Sequence, residues 1–334
     1  MIQFIKAYIT SMRLYYSFVT GIAGWVGVAY YQYVATSTGP RGTSNFYRTI
    51  EVPTPVEKML VILIILFLSW GINQIINDYL GHKEDKINAP DRPMVTGELN
   101  PEKALVLSIV LMMGVFFITW FYLEPVAIIP LIIAASLNII YEYAKGFGIL
   151  GNIVFGIMIS MCALFGFYAS GPIEIYFTKS RISALILIAI LNSLMTYYTY
   201  FKDYTGDKYA GKKTIVVKYG LERNKTISII ASFLPSLLFV TAYFGFESFE
   251  IKLNNIFIIL GILTFFLQVW TGLLFSKNPS GEMTYYSLVT NFRACVCGQA
   301  AIIALFNPEL GMILFLVSYV FVGFLFNLHT NIKA

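Results

Sequence analysis

The chain has 334 residues, 57% of them hydrophobic and only 12% charged, with a mean hydropathy of +0.72. A soluble domain carries about 25% charged residues, so this composition excludes a water-solvated globular protein and points to one solvated mainly by lipid. The formal net charge of +5 is modest, and no nucleic-acid partner is expected.

A bilayer core takes roughly 20 consecutive apolar residues per spanning helix. Such stretches lie near 8–35, 58–80, 103–122, 125–143, 150–170, 182–201, 226–246, 254–275, 284–305 and 309–329. The ninth carries Arg293 and begins with polar residues, which leaves the count at nine to ten. None shows the alternation of a membrane β-strand. The expectation is an all-α fold, a polytopic transmembrane helical bundle forming a single domain over 1–334, without a close internal repeat. Lys6 and Arg13 precede an apolar run from Tyr15 to Tyr31 with no clean small-residue cleavage site after it. That pattern reads as a first membrane helix, not a removed signal. Cys162, Cys295 and Cys297 lie inside apolar spans, and the chain has only two histidines, His82 and His329. Too few ligands surround the thiols for a thiolate metal site, so they read as small packing residues.

Loop charge sets orientation. With the N-terminus inside, the inner segments hold Lys6, Lys83, Lys86, Arg92, Lys103, Lys145, Lys202, Lys208, Lys212, Lys213, Lys218, Arg223, Lys225, Lys277 and Lys333, against Arg41, Arg48, Lys58, Lys179, Arg181 and Lys252 outside, a division of 15 to 6. Basic residues favour cytoplasmic loops, which puts loops 81–102 and 203–224 in the cytosol. The same two loops hold the densest carboxylates.

Ionisable residues at a membrane edge are costly and usually functional. The first group closes the second span as Asn73-Gln-Ile-Ile-Asn77-Asp78-Tyr-Leu-Gly81-His82-Lys83-Glu84-Asp85. At 3.6 residues per turn, Asn73, Asn77, Gly81 and Asp85 share a face, and Asp78 lies seven residues before Asp85. The second group closes the sixth span, with Asp203 and Asp207 one turn apart in Tyr198-Thr-Tyr-Phe-Lys202-Asp203-Tyr-Thr-Gly206-Asp207. Oxygen ligands from two span ends on one membrane side suit Mg²⁺, which is commonly shared with substrate phosphates. Arg92, Lys145, Lys202 and Lys212 supply cations for phosphate oxygens. The combination describes a diphosphate site, with Asn77, Asp78, Glu84, Asp85, Asp203 and Asp207 as candidate metal ligands.

These residues resemble the UbiA superfamily of intramembrane prenyltransferases. Its first motif, Asn-Asp-x-x-Asp-x-x-x-Asp, is similar to the segment from Asn77-Asp78 to Asp85, and its second, Asp-x-x-x-Asp, to Asp203 and Asp207 followed by Gly211-x-x-Thr214. Arg92-Pro93-x-x-x-Gly97, Tyr141-x-x-x-Lys145 and Tyr198-x-x-x-Lys202 also match, and the likeness runs from about residue 13 to 225. One position departs: the central aspartate of the first motif, a metal ligand in the family, is Gly81 here. Either Asp78, Glu84 or Asp85 compensates for it, or one metal is held more weakly; the glycine could also simply terminate the helix.

The resemblance implies ionisation of an isoprenyl diphosphate on Mg²⁺ in a multi-pass protein of the cell membrane, with the active site on the cytosolic side. Asp78, Asp85, Asp203 and Asp207 are the expected catalytic carboxylates, and Tyr141 and Tyr198 are the aromatic faces expected near the allylic cation. The prenyl group passes to an aromatic or other lipophilic acceptor; the alternative is a membrane terpene cyclase, in which the cation is captured by its own chain. Membrane lipid is the surrounding partner in both cases.

The charge division is open to a direct check. On a background lacking the three native cysteines, single cysteines at positions 88 and 209 are expected to resist an impermeant thiol reagent added outside intact cells and to react after permeabilisation. Labelling from outside would reverse the orientation.

Overall fold

The structure is a computed structural model that describes residues 2–36, 52–173, 176–249, 251–281 and 283–333. Arg41 and Arg48, counted above on the outer side, lie outside the described residues. Among those described, nine helices are long and apolar enough to cross a bilayer.

The expected first span, 8–35, is not one helix. It divides into α1 (Ile2–Met12) and α2 (Phe18–Thr36). Between them Arg13 adopts a left-handed conformation (φ 46°, ψ 50°), and Leu14–Tyr16 form one tight turn. The apolar pattern runs through the break, so hydropathy alone could not locate it. α2 packs on α3 (Val56–Leu80), α8 (Leu150–Ala169) and α14 (Thr284–Phe306), and it completes a bundle of ten.

Two short helices follow α3 in the loop, α4 (His82–Asn88) and α5 (Pro93–Thr96). The chain then crosses through α6 (Pro101–Phe121), α7 (Ile128–Ala144), α8 and α9 (Lys179–Lys202). Helix starts are signalled locally. The side chains of Asn100 and Thr178 accept from the backbone N–H of Lys103 and Arg181; a cap of this kind contributes about 1 kcal/mol.

After the short α10 (Tyr204–Tyr209), the seventh crossing starts at residue 215 instead of 226. It is built from α11 (Ile215–Ser232), α12 (Leu234–Val240) and a π turn at Thr241–Gly245. Gly220, at φ 75°, bends its start. Lys218, Arg223 and Lys225 therefore ride on a helix and not in an open loop. α13 (Asn255–Lys277), α14 and α15 (Pro308–Lys333) complete the chain. Despite Arg293, the ninth predicted span forms an unbroken helix. The guanidinium donates from Nε to the Tyr319 carbonyl at 2.9 Å and lies 4.4 Å from the centre of that residue's ring.

Burial separates a centre from a rim. In α14, 89% of the spanning window is buried, and in α8 72%, against 17% in α6. Apolar side chains on the rim face lipid, so burial there adds no hydrophobic drive; close packing of small residues supplies the cohesion. α2 and α8 meet in this way. A Cβ on Gly27 would stand 1.9 Å from the Ala163 carbonyl oxygen, and one on Gly166 2.1 Å from that of Gly24. The only sheet among the described residues is a parallel pair, β1 (Phe147–Gly148) with β2 (Lys213–Thr214). It ties the loop after α7 to the loop after α10.

Gly27→Val forces backbone apart from backbone at the α2–α8 crossing. It is expected to destabilise by about 1–3 kcal/mol or more, read as a lower midpoint in a thermal melt in detergent. Gly114→Val on α6, where a Cβ meets nothing within 4 Å, is expected to melt as the wild type does.

Candidate active site at one end of the bundle

The ends of α3, α7 and α9 converge, and with the α4–α5 segment they enclose a cavity of about 190 Å³. Its polar wall includes Asn77, Asp78, Gly81, Glu84, Asp85, Arg92, Lys145, Lys202 and Asp203. The two acidic groups, more than a hundred residues apart in sequence, thus reach one space, the second through Asp203; Asp207 and Lys212 are not on its lining and join it through their pairs with Lys145 and Glu84.

Each buried carboxylate there has a cation beside it. Asp78, only 2% exposed, pairs with Arg13 and, at 3.2 Å, with Arg92. It also accepts from Gln74 Nε2 at 3.1 Å. Arg92 pairs with Asp85 as well. Lys145 Nζ lies 3.3 Å from Asp207, which is 0% exposed. Lys212 Nζ is held between Glu84, at 3.1 Å, and Glu142. The parallel β pair places the loop bearing Lys212 next to the end of α7.

Charge and burial compete over these groups. Burial pushes Asp85 up to about 6, with the Asp78 carboxylate adding to the rise and Arg92 opposing it. Burial likewise pushes Asp207 up to about 6; Lys145 opposes and Asp203 adds. Burial alone would pull Lys145 down, but Asp207, Asp203 and Glu142 around it carry it above its ordinary value. Both lysine and arginine at the cavity stay charged, since Arg92 is raised by Asp78 and Asp85 against the effect of burial.

Most of the expected residues meet. Tyr141 lines the cavity. Tyr198 does not: its hydroxyl donates to the Ser228 carbonyl at 2.6 Å and its ring stacks on Phe275 at 4.9 Å. At 3.6 residues per turn, the α9 face that presents Thr199, Lys202 and Asp203 turns Tyr198 toward α11 and α13.

Other residues escaped the sequence reading. Arg13 enters the site because the left-handed turn breaks the first span. A non-glycine residue held there costs on the order of 1–3 kcal/mol, and such strain clusters at functional sites. The available signal was a charge inside an apolar run. Glu142 was visible between Tyr141 and Lys145 but unassigned. Tyr16, Trp70 and Phe292 form an aromatic wall, Tyr16 lying 4.7 Å from Phe292 and 5.9 Å from Trp70 between ring centres. Nothing in sequence distinguishes these three from the other aromatic residues.

The donors suit a hard divalent cation. They are oxygens, and some are uncommitted: Asn77 Oδ1 and Asp207 Oδ2 are buried and accept no hydrogen bond, while Asp207 Oδ1 faces Lys145. No three acidic, histidine or cysteine side chains among the described residues close on one point. An ion such as Mg²⁺ keeps waters and binds through one or two carboxylates plus substrate phosphates, so it does not require such a cluster.

A model of the UbiA prenyltransferase family matches residues 43–288. The chain belongs to the UbiA prenyltransferase family. The digeranylgeranylglyceryl phosphate synthase of Thermococcus sibiricus is 32% identical over 233 residues, covering 68% of this chain and 77% of that protein. Among solved structures, an apo UbiA homologue from Aeropyrum pernix K1 superposes with a TM-score of 0.68 at 14% identity, covering 87% of this chain and 98% of that one. A UbiA homologue from Archaeoglobus fulgidus bound to DMAPP and Mg²⁺ gives 0.59 at 15%, covering 88% and 98%. These two likenesses establish the shared UbiA fold. The nine membrane-crossing helices and the family together make the protein an integral, multi-pass membrane enzyme, a prenyltransferase.

Metal binding to these carboxylates requires their charged forms. Because Asp85 and Asp207 sit near 6, protonation below that value removes negative charge from the site. Mg²⁺ affinity, measured by titration calorimetry between pH 5 and 8, is therefore expected to fall as pH drops through about 6, with proton uptake by the metal-free protein. An affinity unchanged from pH 8 to 5 would count against these carboxylates as ligands.

Proposed function

We propose that this prenyltransferase binds an isoprenyl diphosphate and Mg²⁺ in the cavity at the ends of α3, α7 and α9, and transfers the prenyl group to a lipophilic acceptor. The observation that carries the reading is the meeting of the two acidic segments with four cations, Arg92, Lys145, Lys202 and Lys212, at one membrane edge. The side with these groups is the cytosolic one, on the strength of the basic-residue excess.

Asp78, Asp85, Asp203 and Asp207, with Asn77 and Glu84, would hold the ion. When bound, Mg²⁺ acts as a Lewis acid on the diphosphate oxygens. The four basic side chains orient the diphosphate and stabilise the charge that grows on it as the allylic C–O bond breaks and its electron pair leaves with the diphosphate. The allylic cation left behind faces Tyr16, Trp70, Tyr141 and Phe292. An aromatic face stabilises a cation by roughly 0.5–2 kcal/mol. Met158, Ile159 and Leu288 extend the lining away from the charges, which suits the apolar chain.

An acceptor oxygen then bonds to the cationic carbon and loses its proton. The relatives named digeranylgeranylglyceryl phosphate synthase make a lipophilic glyceryl phosphate the acceptor class to test first. Family and relatives alike are transferases, which favours transfer over acceptor-free cyclisation.

Asp203→Asn and Asp207→Asn should each reduce turnover at least a thousandfold while the protein stays folded, because each removes charge at a site where electrostatic stabilisation dominates. The assay is prenyl transfer followed by mass spectrometry, with Mg²⁺, a panel of prenyl diphosphates and the glyceryl phosphate acceptor. Near-normal rates at saturating Mg²⁺ would defeat the assignment; a cyclic hydrocarbon formed without acceptor would replace transfer by cyclisation.

A further inference from the structure

Residue 81 is a glycine whose backbone has no need of one. Its φ of −90° and ψ of 17° are open to other residues, so the helix-terminator explanation, which rests on a left-handed conformation, does not hold. What distinguishes the position is its neighbour. A Cβ on residue 81 would stand 3.1 Å from the Asn77 carbonyl oxygen, 3.5 Å from Glu142 Oε1 and 3.7 Å from the Glu142 carboxyl carbon. The carboxyl carbon of an aspartate there would lie one bond further out, about 1.5 Å. Glu142, reaching in from the end of α7, therefore occupies the neighbourhood that an aspartate at 81 would fill.

The replacements expected from sequence are engaged differently. Asp78 Oδ1 meets Arg13, Arg92 and Gln74 together. Glu84 shares the Lys212 ammonium with Glu142, so both carboxylates contact that one cation. Two carboxylates converging on a single cation, on the wall of the cavity that Asn77 also lines with its buried Oδ1 accepting no hydrogen bond, make an oxygen set suited to an ion of higher charge.

We propose that Glu142 is the carboxylate that replaces the missing aspartate of the first acidic motif, delivering its oxygen to the divalent cation from α7 instead of α3. The proposal rests on the metal–diphosphate reading above. A hard cation selects oxygen donors and charge, whichever helix supplies them. Gly81 leaves room for the transplanted carboxylate, and Lys212, which pairs with it here, becomes available to the diphosphate when the dication takes its place.

The test is a Mn²⁺ titration of the purified full chain, followed by electron paramagnetic resonance, with inorganic pyrophosphate as the diphosphate probe. Wild type, Asp203→Asn, Glu142→Gln and the double variant Gly81→Asp/Glu142→Ala, which clears the space beside residue 81, are compared. Glu142→Gln is expected to weaken Mn²⁺ about tenfold or more, the scale set by losing a group that supports a metal site, with recovery to within about threefold in the double variant. Recovery also separates loss of a ligand from loss of folding. Failure of the wild type to bind Mn²⁺ overturns the metal reading itself. Binding that is lost in Asp203→Asn but intact in Glu142→Gln overturns this inference alone, as does a double variant no better than Glu142→Gln.

Discussion

A carboxylate taken out of water must find a cation, and the arrangement of the whole site-bearing end of this bundle follows from that requirement. Asp78 and Asp207 are almost wholly buried. The effective penalty for burying an ion is several kcal/mol, and removing one partner of a buried pair costs about 3–5 kcal/mol. Each acid is accordingly met from a different part of the chain: Asp78 by Arg13 and Arg92, Asp207 by Lys145, Glu84 and Glu142 by Lys212. Those pairings draw together the break after α1, the α4–α5 segment, the end of α7 and the loop after α10.

The pairings also hold the site in readiness. Mutual repulsion among Asp78, Asp85, Asp203 and Asp207 would oppose assembly if the cations were absent. On the proposed reading, substrate binding would be an exchange: a dication would take over the carboxylates, and the released ammonium and guanidinium groups would turn to diphosphate oxygens. The exchange conserves charge compensation, so neither state leaves a buried ion alone. The left-handed Arg13 is a cost accepted for this purpose, since a continuous helix from 8 to 35 would carry its side chain along a helical face instead of delivering it at the turn.

Much of the fold was legible without coordinates. Apolar runs of spanning length mark the crossings because lipid allows little else, and the carboxylates at the ends of the second and sixth spans stand out because charge is rare in such a chain. Tyr198 and Glu142 show where legibility stopped. One helical face separates Tyr198 from the cavity, and only packing against Ser228 and Phe275 decides it. Glu142 looks like any other loop-edge acid until its distance from residue 81 is known.

The sequence by itself determined the solvent, the class and the chemistry: helices in lipid, two oxygen-rich segments on one membrane side, and basic residues near them. Those properties depend on residue type and spacing along one chain, which composition and a 3.6-residue period express directly. Tertiary structure alone decided which acid pairs with which base, that the first span breaks at Arg13, and that the glycine just past α3 lies against a glutamate on α7. Such facts depend on distances between segments far apart in sequence, and in a bundle those are set by how helices pack, through contacts such as Gly27 against Ala163, and not by any local pattern.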